Sequence, residues 1–161
     1  MPDQGFILLV EDREDDVLLI RRAFAEGKVL NPLHVVRDGK EAIAYLSGEG
    51  KFKDRNQYPL PALILLDLKL PGMDGFEVLH WIRQQPGLRR LRIVVLTSSE
   101  HLRDVNRAFE LGANSFLLKP LDFKHFVGTC ELIRDYWLTT DKEPLTDRPA
   151  YWQKTKPQQD E

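Results

Sequence analysis

Hydrophobic residues recur in five short, unalternated runs, at residues 6–10, about 33–36, 62–66, 93–96 and 115–118. Runs of this length, rich in branched side chains, suit strands whose two faces are both covered. Between them the period changes. Val17, Ile20 and Phe24 recur at three- and four-residue spacings, as do Leu102, Val105 and Phe109, and Phe123, Phe126, Cys130, Ile133 and Trp137 trace a longer stripe. Each stripe is expected to lay one side of a helix on the sheet. Two further helices are read from residue 39 to about 46 and from 74 to about 84, where Pro86 and Gly87 supply a stop. Strand and helix alternate throughout, which predicts an α/β fold: a doubly wound, five-stranded parallel sheet with five helices.

Two segments break the alternation. Residues 47–61 are polar and carry Gly48, Gly50, Pro59 and Pro61, so they read as a long surface connection without chemistry of its own. Residues 138–161 are rich in Thr, Lys, Asp, Gln and Pro and read as a flexible tail after a domain spanning 1–137, with Tyr151 and Trp152 available for docking. That tail is too short for a separate DNA-binding output domain.

With 161 residues, 42% hydrophobic and 30% charged, and a formal net charge of -2, the chain reads as one ordinary globular domain with no general attraction to nucleic acid. Arg89, Arg90 and Arg92 read as a solvated loop. The first apolar run is too short, and its flank too poor in basic residues, for a signal peptide or membrane span, so a cytoplasmic location is expected. Cys130, the single cysteine, falls in a helical stripe and reads as a buried structural thiol. The four histidines show no metal-ligand spacing.

Chemistry gathers where the strands end. In doubly wound sheets the functional crevice lies at the carboxyl edge, near the switch in strand order. There the first run delivers Glu11-Asp12, the third Asp67, the fourth Thr97-Ser98-Ser99 and the fifth Lys119-Pro120. Three carboxylates brought close together would raise one another's pKa unless a cation joined them. Magnesium, with its preference for oxygen ligands and its tolerance of few protein carboxylates, suits this set better than zinc, and Mn2+ is an alternative.

These residues resemble the response-regulator receiver family. The match rests on Leu9-Val10-Glu11-Asp12, Leu65-Leu66-Asp67-Leu68 followed by Pro71-Gly72-Met73-Asp74-Gly75, Val95-Leu96-Thr97 and Leu118-Lys119-Pro120, and covers residues 6 to about 137. The resemblance implies a flavodoxin-like sheet in the order 2-1-3-4-5. It makes Asp67 the nucleophile and phospho-acceptor, taking a phosphoryl group from a phosphohistidine of a sensor histidine kinase. Glu11, Asp12, Asp67 and the backbone carbonyl of Lys69 would hold the metal, and Lys119 would pair with a phosphoryl oxygen. Thr97 would be drawn toward the new negative charge and Phe116, where many relatives carry tyrosine, would turn inward. The face formed by the fourth helix, fifth strand and fifth helix would then respond, a face that in many relatives forms a homodimer or binds a target. A cis Lys119-Pro120 bond also belongs to the family pattern. Lys69 and Ser99 flank the acceptor and are expected to tune the lifetime of the phosphoryl group.

Such a protein is a signalling switch that promotes its own phosphotransfer and dephosphorylation. The long connection and the tail without an output domain look similar to stand-alone regulators of phytochrome-type histidine kinases. Two other readings compete. A haloacid-dehalogenase-like phosphotransferase wants a second acid two residues after its nucleophile, where this chain has Lys69. A receiver-like interaction module that is never phosphorylated is opposed by the intact acids, threonine and lysine. For Glu11 and Asp12 the local alternative is capping of the first helix, a role that Asp15 and Asp16 can also fill.

Overall fold

The computed structural model describes residues 5–98, 101–119 and 122–138. Five parallel strands, β1 (Ile7–Val10), β2 (Leu33–Val36), β3 (Leu63–Leu66), β4 (Ile93–Thr97) and β5 (Ser115–Leu118), form one sheet in the order β2-β1-β3-β4-β5. Five α-helices connect and cover them: α1 (Glu14–Glu26), α2 (Gly39–Ser47), α3 (Gly75–Gln84), α4 (Leu102–Glu110) and α5 (Phe123–Ile133). The doubly wound sheet is the one expected from the strand and helix alternation, and its order is the flavodoxin-like one that the family resemblance implies.

The absence of alternation in the strands has a direct cause. Leu8, Val10, Ile64, Leu66 and Val95 point to one buried cluster shared with α2, α3 and α4. Ile7, Leu9, Leu63, Leu65, Val94 and Leu96 point to the other, shared with α1 and α5. Successive side chains face opposite sides of a strand, and here both sides are dry. The stripes on α1 and α5 pack as their spacing predicts, with Val17, Ile20, Phe24, Phe126, Cys130, Ile133 and Trp137 all buried. On α4 the stripe faces inward only from its middle onward: Phe109 is buried, whereas Leu102, in the first turn, is 72% exposed.

Local chemistry sets the helix starts. Asp38 accepts from the Glu41 amide at 2.8 Å, Asp74 from the Glu77 amide at 3.0 Å and Asp122 from the Lys124 amide at 2.9 Å. Each such cap is worth about 1 kcal/mol. Helix α1 starts differently: its N-cap is Arg13, without a side-chain bond, which leaves the neighbouring acids for other work.

Residues 48–61 are more than a polar surface connection. Gly48 ends α2 in a left-handed conformation at φ 69°, and Gly50–Phe52 form a short 3-10 turn that buries Phe52. Arg55 donates to the carbonyls of Tyr45 at 2.7 Å, Leu46 at 2.7 Å and Tyr58 at 3.2 Å, so one guanidinium closes the end of α2 and ties the loop to it. Phe52, Tyr58, Tyr45 and His34 stack as an aromatic cluster over the β2 edge.

A π-helical turn, Arg134–Leu138, extends α5. Arg92 donates to the Trp137 carbonyl at 2.9 Å and Arg134 to the Gly27 carbonyl at 2.6 Å. Arg92 therefore belongs to the structure rather than to a solvated loop, while Arg89 and Arg90 are exposed as expected. Leu138 ends this turn, so the helical body extends through the first residue of the predicted tail. Residues 139–161, Ser99 and Pro120, and with Pro120 the expected cis bond, lie outside the described residues.

Candidate functional site

Strand register brings the site together. Val10 is level with Leu66, so the next residues, Glu11 and Asp67, leave the sheet side by side. They do so at the switch in strand order, where the chain, having placed β2 beside β1, places β3 on β1's other side. The Asp67 amide donates to the Val10 carbonyl at 3.1 Å and the Glu11 amide to the Val36 carbonyl at 3.0 Å, which anchors both backbones. Thr97 is level with Leu118, so Lys119 follows directly, its amide bonded to the Thr97 carbonyl at 2.8 Å.

The side chains converge accordingly. Glu11, Asp67 and Thr97 are buried and Asp12 is exposed. Carboxylate oxygens of Glu11, Asp12 and Asp67 lie within 4.8 Å of one another. The Lys119 ammonium donates to Glu11, to Asp67 Oδ2 at 3.0 Å and to Asp16 Oδ2 at 3.0 Å. The second oxygen of Asp67, Oδ1, accepts from the Lys69 amide at 3.3 Å. One close approach shapes the loop after Asp67: a Cβ on Gly75 would stand 2.2 Å from the Asp67 carbonyl oxygen, so only glycine lets α3 begin there.

Three carboxylates, Glu11, Asp16 and Asp67, thus face one ammonium, with Asp12 beside two of them. Burial, reinforced by the Asp67 charge, pushes the Glu11 carboxyl up to about 7 against the pull of Lys119. Burial alone would lower the Lys119 ammonium, but its hydrogen bond to Glu11 and the charges of Asp67 and Glu11 outweigh it and hold the ammonium above its ordinary value. Lys119 is held in its charged form, while burial first and the Asp67 charge second work against charge on Glu11. A set of hard oxygen donors with uncompensated negative charge, open to solvent at Asp12, fits a divalent cation such as Mg2+ or Mn2+ held by Glu11, Asp12 and Asp67.

Comparison with known proteins agrees with this geometry. Residues 7–131 match the model of the response regulator receiver domain. The chain belongs to that family. Over 142 residues this receiver is 40% identical to the probable methanogenesis regulatory protein FilR2 of Methanothrix harundinacea, covering 88% of this chain and 89% of FilR2. It is 40% identical over 134 residues to the response regulator Rcp1 of Synechocystis sp., covering 83% of this chain and 89% of Rcp1. The Mn2+-bound crystal structure of Rcp1 aligns with a TM-score of 0.77 at 38% identity, covering 87% of this chain and 99% of that one. The phosphorylated cyanobacterial phytochrome response regulator RcpA aligns with a TM-score of 0.79 at 37% identity, covering 86% of this chain and 97% of that one. This receiver is therefore similar to stand-alone phytochrome response regulators.

Within the receiver, most of the predicted site residues meet. Glu11, Asp12, Asp67 and Lys119 form one cluster, and Thr97 is buried at the end of the neighbouring strand. Lys69 is exposed, and its amide rather than its ammonium reaches Asp67. Phe116 lies one strand over, level with Val95, half-buried against the cluster shared with α4. Asp16 was open to a capping role on its type and place alone; its carboxylate instead holds Lys119. A signal for it exists in the sequence, an acid four residues after Asp12 on the helix that leaves the site, but acids are common in first turns.

Proposed function

We propose that this receiver accepts a phosphoryl group on Asp67 from a phosphohistidine of a sensor histidine kinase and changes conformation in response. The observation that supports this most is Asp67 itself, buried at the strand end with Lys119 at 3.0 Å and two further carboxylates within 4.8 Å. An ionised carboxylate is the required nucleophile. The Lys119 ammonium at Oδ2 and the Lys69 amide at Oδ1 fix the orientation of that carboxylate. As the P–N bond of the donor breaks, a P–O bond forms to Asp67 and the imidazole leaves, giving an acyl phosphate. Lys119 is placed to neutralise a phosphoryl oxygen, and little else is needed because phosphoryl transfer depends mostly on alignment and charge. Glu11, Asp12, Asp67 and the Lys69 carbonyl would hold Mg2+ or Mn2+, which when bound would supply further neutralisation of phosphoryl charge.

The acyl phosphate adds nearly two negative charges next to Thr97. The Thr97 side chain moves toward it and Phe116 turns into the space released. Phe116 has no hydroxyl, so packing alone carries the switch. The affected face contains Leu102 and Leu118, 72% and 44% exposed, which supports a homodimer or target contact through α4, β5 and α5. Lys69 and Ser99 set the phosphoryl lifetime. Residues 1–137 act as the switch, in the cytoplasm, with 138–161 as a tail. Among the described residues no helix is long and apolar enough to cross a membrane.

A phytochrome-type kinase is the proposed donor, on the likeness to RcpA. FilR2, as identical as Rcp1, favours a second reading in which the kinase senses something other than light. Incubation with acetyl phosphate and magnesium, read by intact mass, tests the acceptor role. A magnesium-dependent phosphoryl adduct, labile to hydroxylamine and missing in Asp67→Asn, is expected. An unmodified wild type with a competent donor would make the constitutive interaction module the better account.

A further inference from the structure

We infer that Asp16 is a positioning residue for phosphoryl transfer, holding Lys119 over the acceptor; the inference rests on Asp67 being the phospho-acceptor. Lys119 has three ammonium hydrogens and three carboxylate partners: Glu11, Asp67 and Asp16. Two of those partners, Glu11 and Asp67, belong to the carboxylate group that fits a divalent cation; Asp16 does not. A cation on Glu11 and Asp67 draws on the same two carboxylates that now receive Lys119. Asp16 remains free of that competition and keeps one hydrogen, leaving the others to turn toward a phosphoryl oxygen.

The placement of Asp16 suits an anchor. It lies in the first turn of α1, a helix pinned to the sheet through Val17 and Ile20, both buried to within 1% of full burial. Its side chain is 25% exposed against 12% for Lys119, dry enough for the bond to persist and open enough not to strand a charge. Arg13 Nε stands 3.8 Å from the same oxygen and holds the carboxylate from the solvent side. Lys119 sits just past the end of β5, across the site, so without Asp16 its long side chain depends on partners the reaction itself engages.

The test compares wild type, Asp16→Asn, Asp16→Glu, Lys119→Met and the Asp16→Asn/Lys119→Met double variant with acetyl phosphate and magnesium. In Asp16→Asn the transfer rate at saturating donor is expected to fall about tenfold, with donor saturation and magnesium affinity changed less than about twofold and Asp16→Glu recovering part of the rate. In the Lys119→Met background, Asp16→Asn is expected to add no further loss. Metal-free protein gives a second readout: the 15N ammonium signal of Lys119, slowed in proton exchange in wild type, should broaden in Asp16→Asn at unchanged urea midpoint. An equal loss in the Lys119→Met background, or a rate restored by extra magnesium, would overturn the positioning role. If wild type takes up phosphoryl and Asp16→Asn matches it, this inference fails alone; if wild type takes up none, the acceptor reading and this one fail together.

Discussion

Replacing Gly75 by alanine should damage the fold and the site together, and the size of the effect follows from contacts that are all backbone. A Cβ at 75 would lie 2.2 Å from the Asp67 carbonyl oxygen and 2.7 Å from Leu68 Cα. Neither neighbour can swing away, so the start of α3 and the strand end must separate by roughly 1 Å, the gap to ordinary van der Waals contact. The Gly75 amide would then lose its 2.9 Å bond to the Leu68 carbonyl. Overpacking of about 1–3 kcal/mol and a lost hydrogen bond of about 1 kcal/mol together predict a destabilisation of about 2–4 kcal/mol. Urea unfolding followed by tryptophan fluorescence measures it; with a slope of about 1–3 kcal/mol/M the midpoint should fall by about 0.7–4 M. Gly128→Ala is the control, since that exposed position in α5 has nothing within 4 Å of the new Cβ and should gain about 0.5–1 kcal/mol. A Gly75→Ala midpoint equal to wild type would refute the close-approach argument, because no side-chain adjustment can supply the missing space.

Three further outcomes are expected. Burial lowers the His34 pKa below its ordinary 6.5, so the ring is held neutral among Tyr45, Phe52 and Tyr58, and its contribution to stability is present above pH 6.5 and lost as pH falls through the lowered folded value. His34→Phe should therefore weaken the acid-side decline in thermal stability, and an unchanged pH profile would contradict this. Burial pushes the Cys130 thiol up to about 12, so an aromatic disulfide reagent at pH 8 should label it only after unfolding; rapid labelling of native protein would show the site to be open. Arg83 donates to the Gly112, Arg89 and Leu91 carbonyls and to the Asn114 side chain, so Arg83→Met should destabilise the domain by about 2–3 kcal/mol in calorimetry, whereas a change within about 0.5 kcal/mol would mean that water replaces the guanidinium.

The architecture was readable because each parallel strand is buried on both faces and so announces itself as an apolar run with a polar residue at its end. That rule also delivered Glu11, Asp67 and Lys119, since parallel strands in register end at one edge. Asp16 was harder, because its role depends on the angle at which α1 leaves the sheet, and an acid in a first turn has an adequate local explanation. The 48–61 connection misled through composition. Its Gly, Pro and Lys content describes the exposed majority, while Phe52 and Arg55, the residues that fix its path, act through contacts with α2 that no local pattern encodes. Leu102 misled for the opposite reason: its spacing from Val105 and Phe109 is helical, but the first turn of α4 stands clear of the core.

The central claim, that Asp67 carries the phosphoryl group, is tested most directly by trapping the acyl phosphate. Borohydride reduces an aspartyl phosphate to homoserine while leaving free carboxylates intact, so peptide mass spectrometry after phosphorylation and reduction identifies the acceptor by residue. The account predicts homoserine at position 67, dependent on magnesium and on the donor. Homoserine at Glu11's neighbour Asp12 or at Asp16, or a phosphorylated protein with no reducible residue, would contradict it.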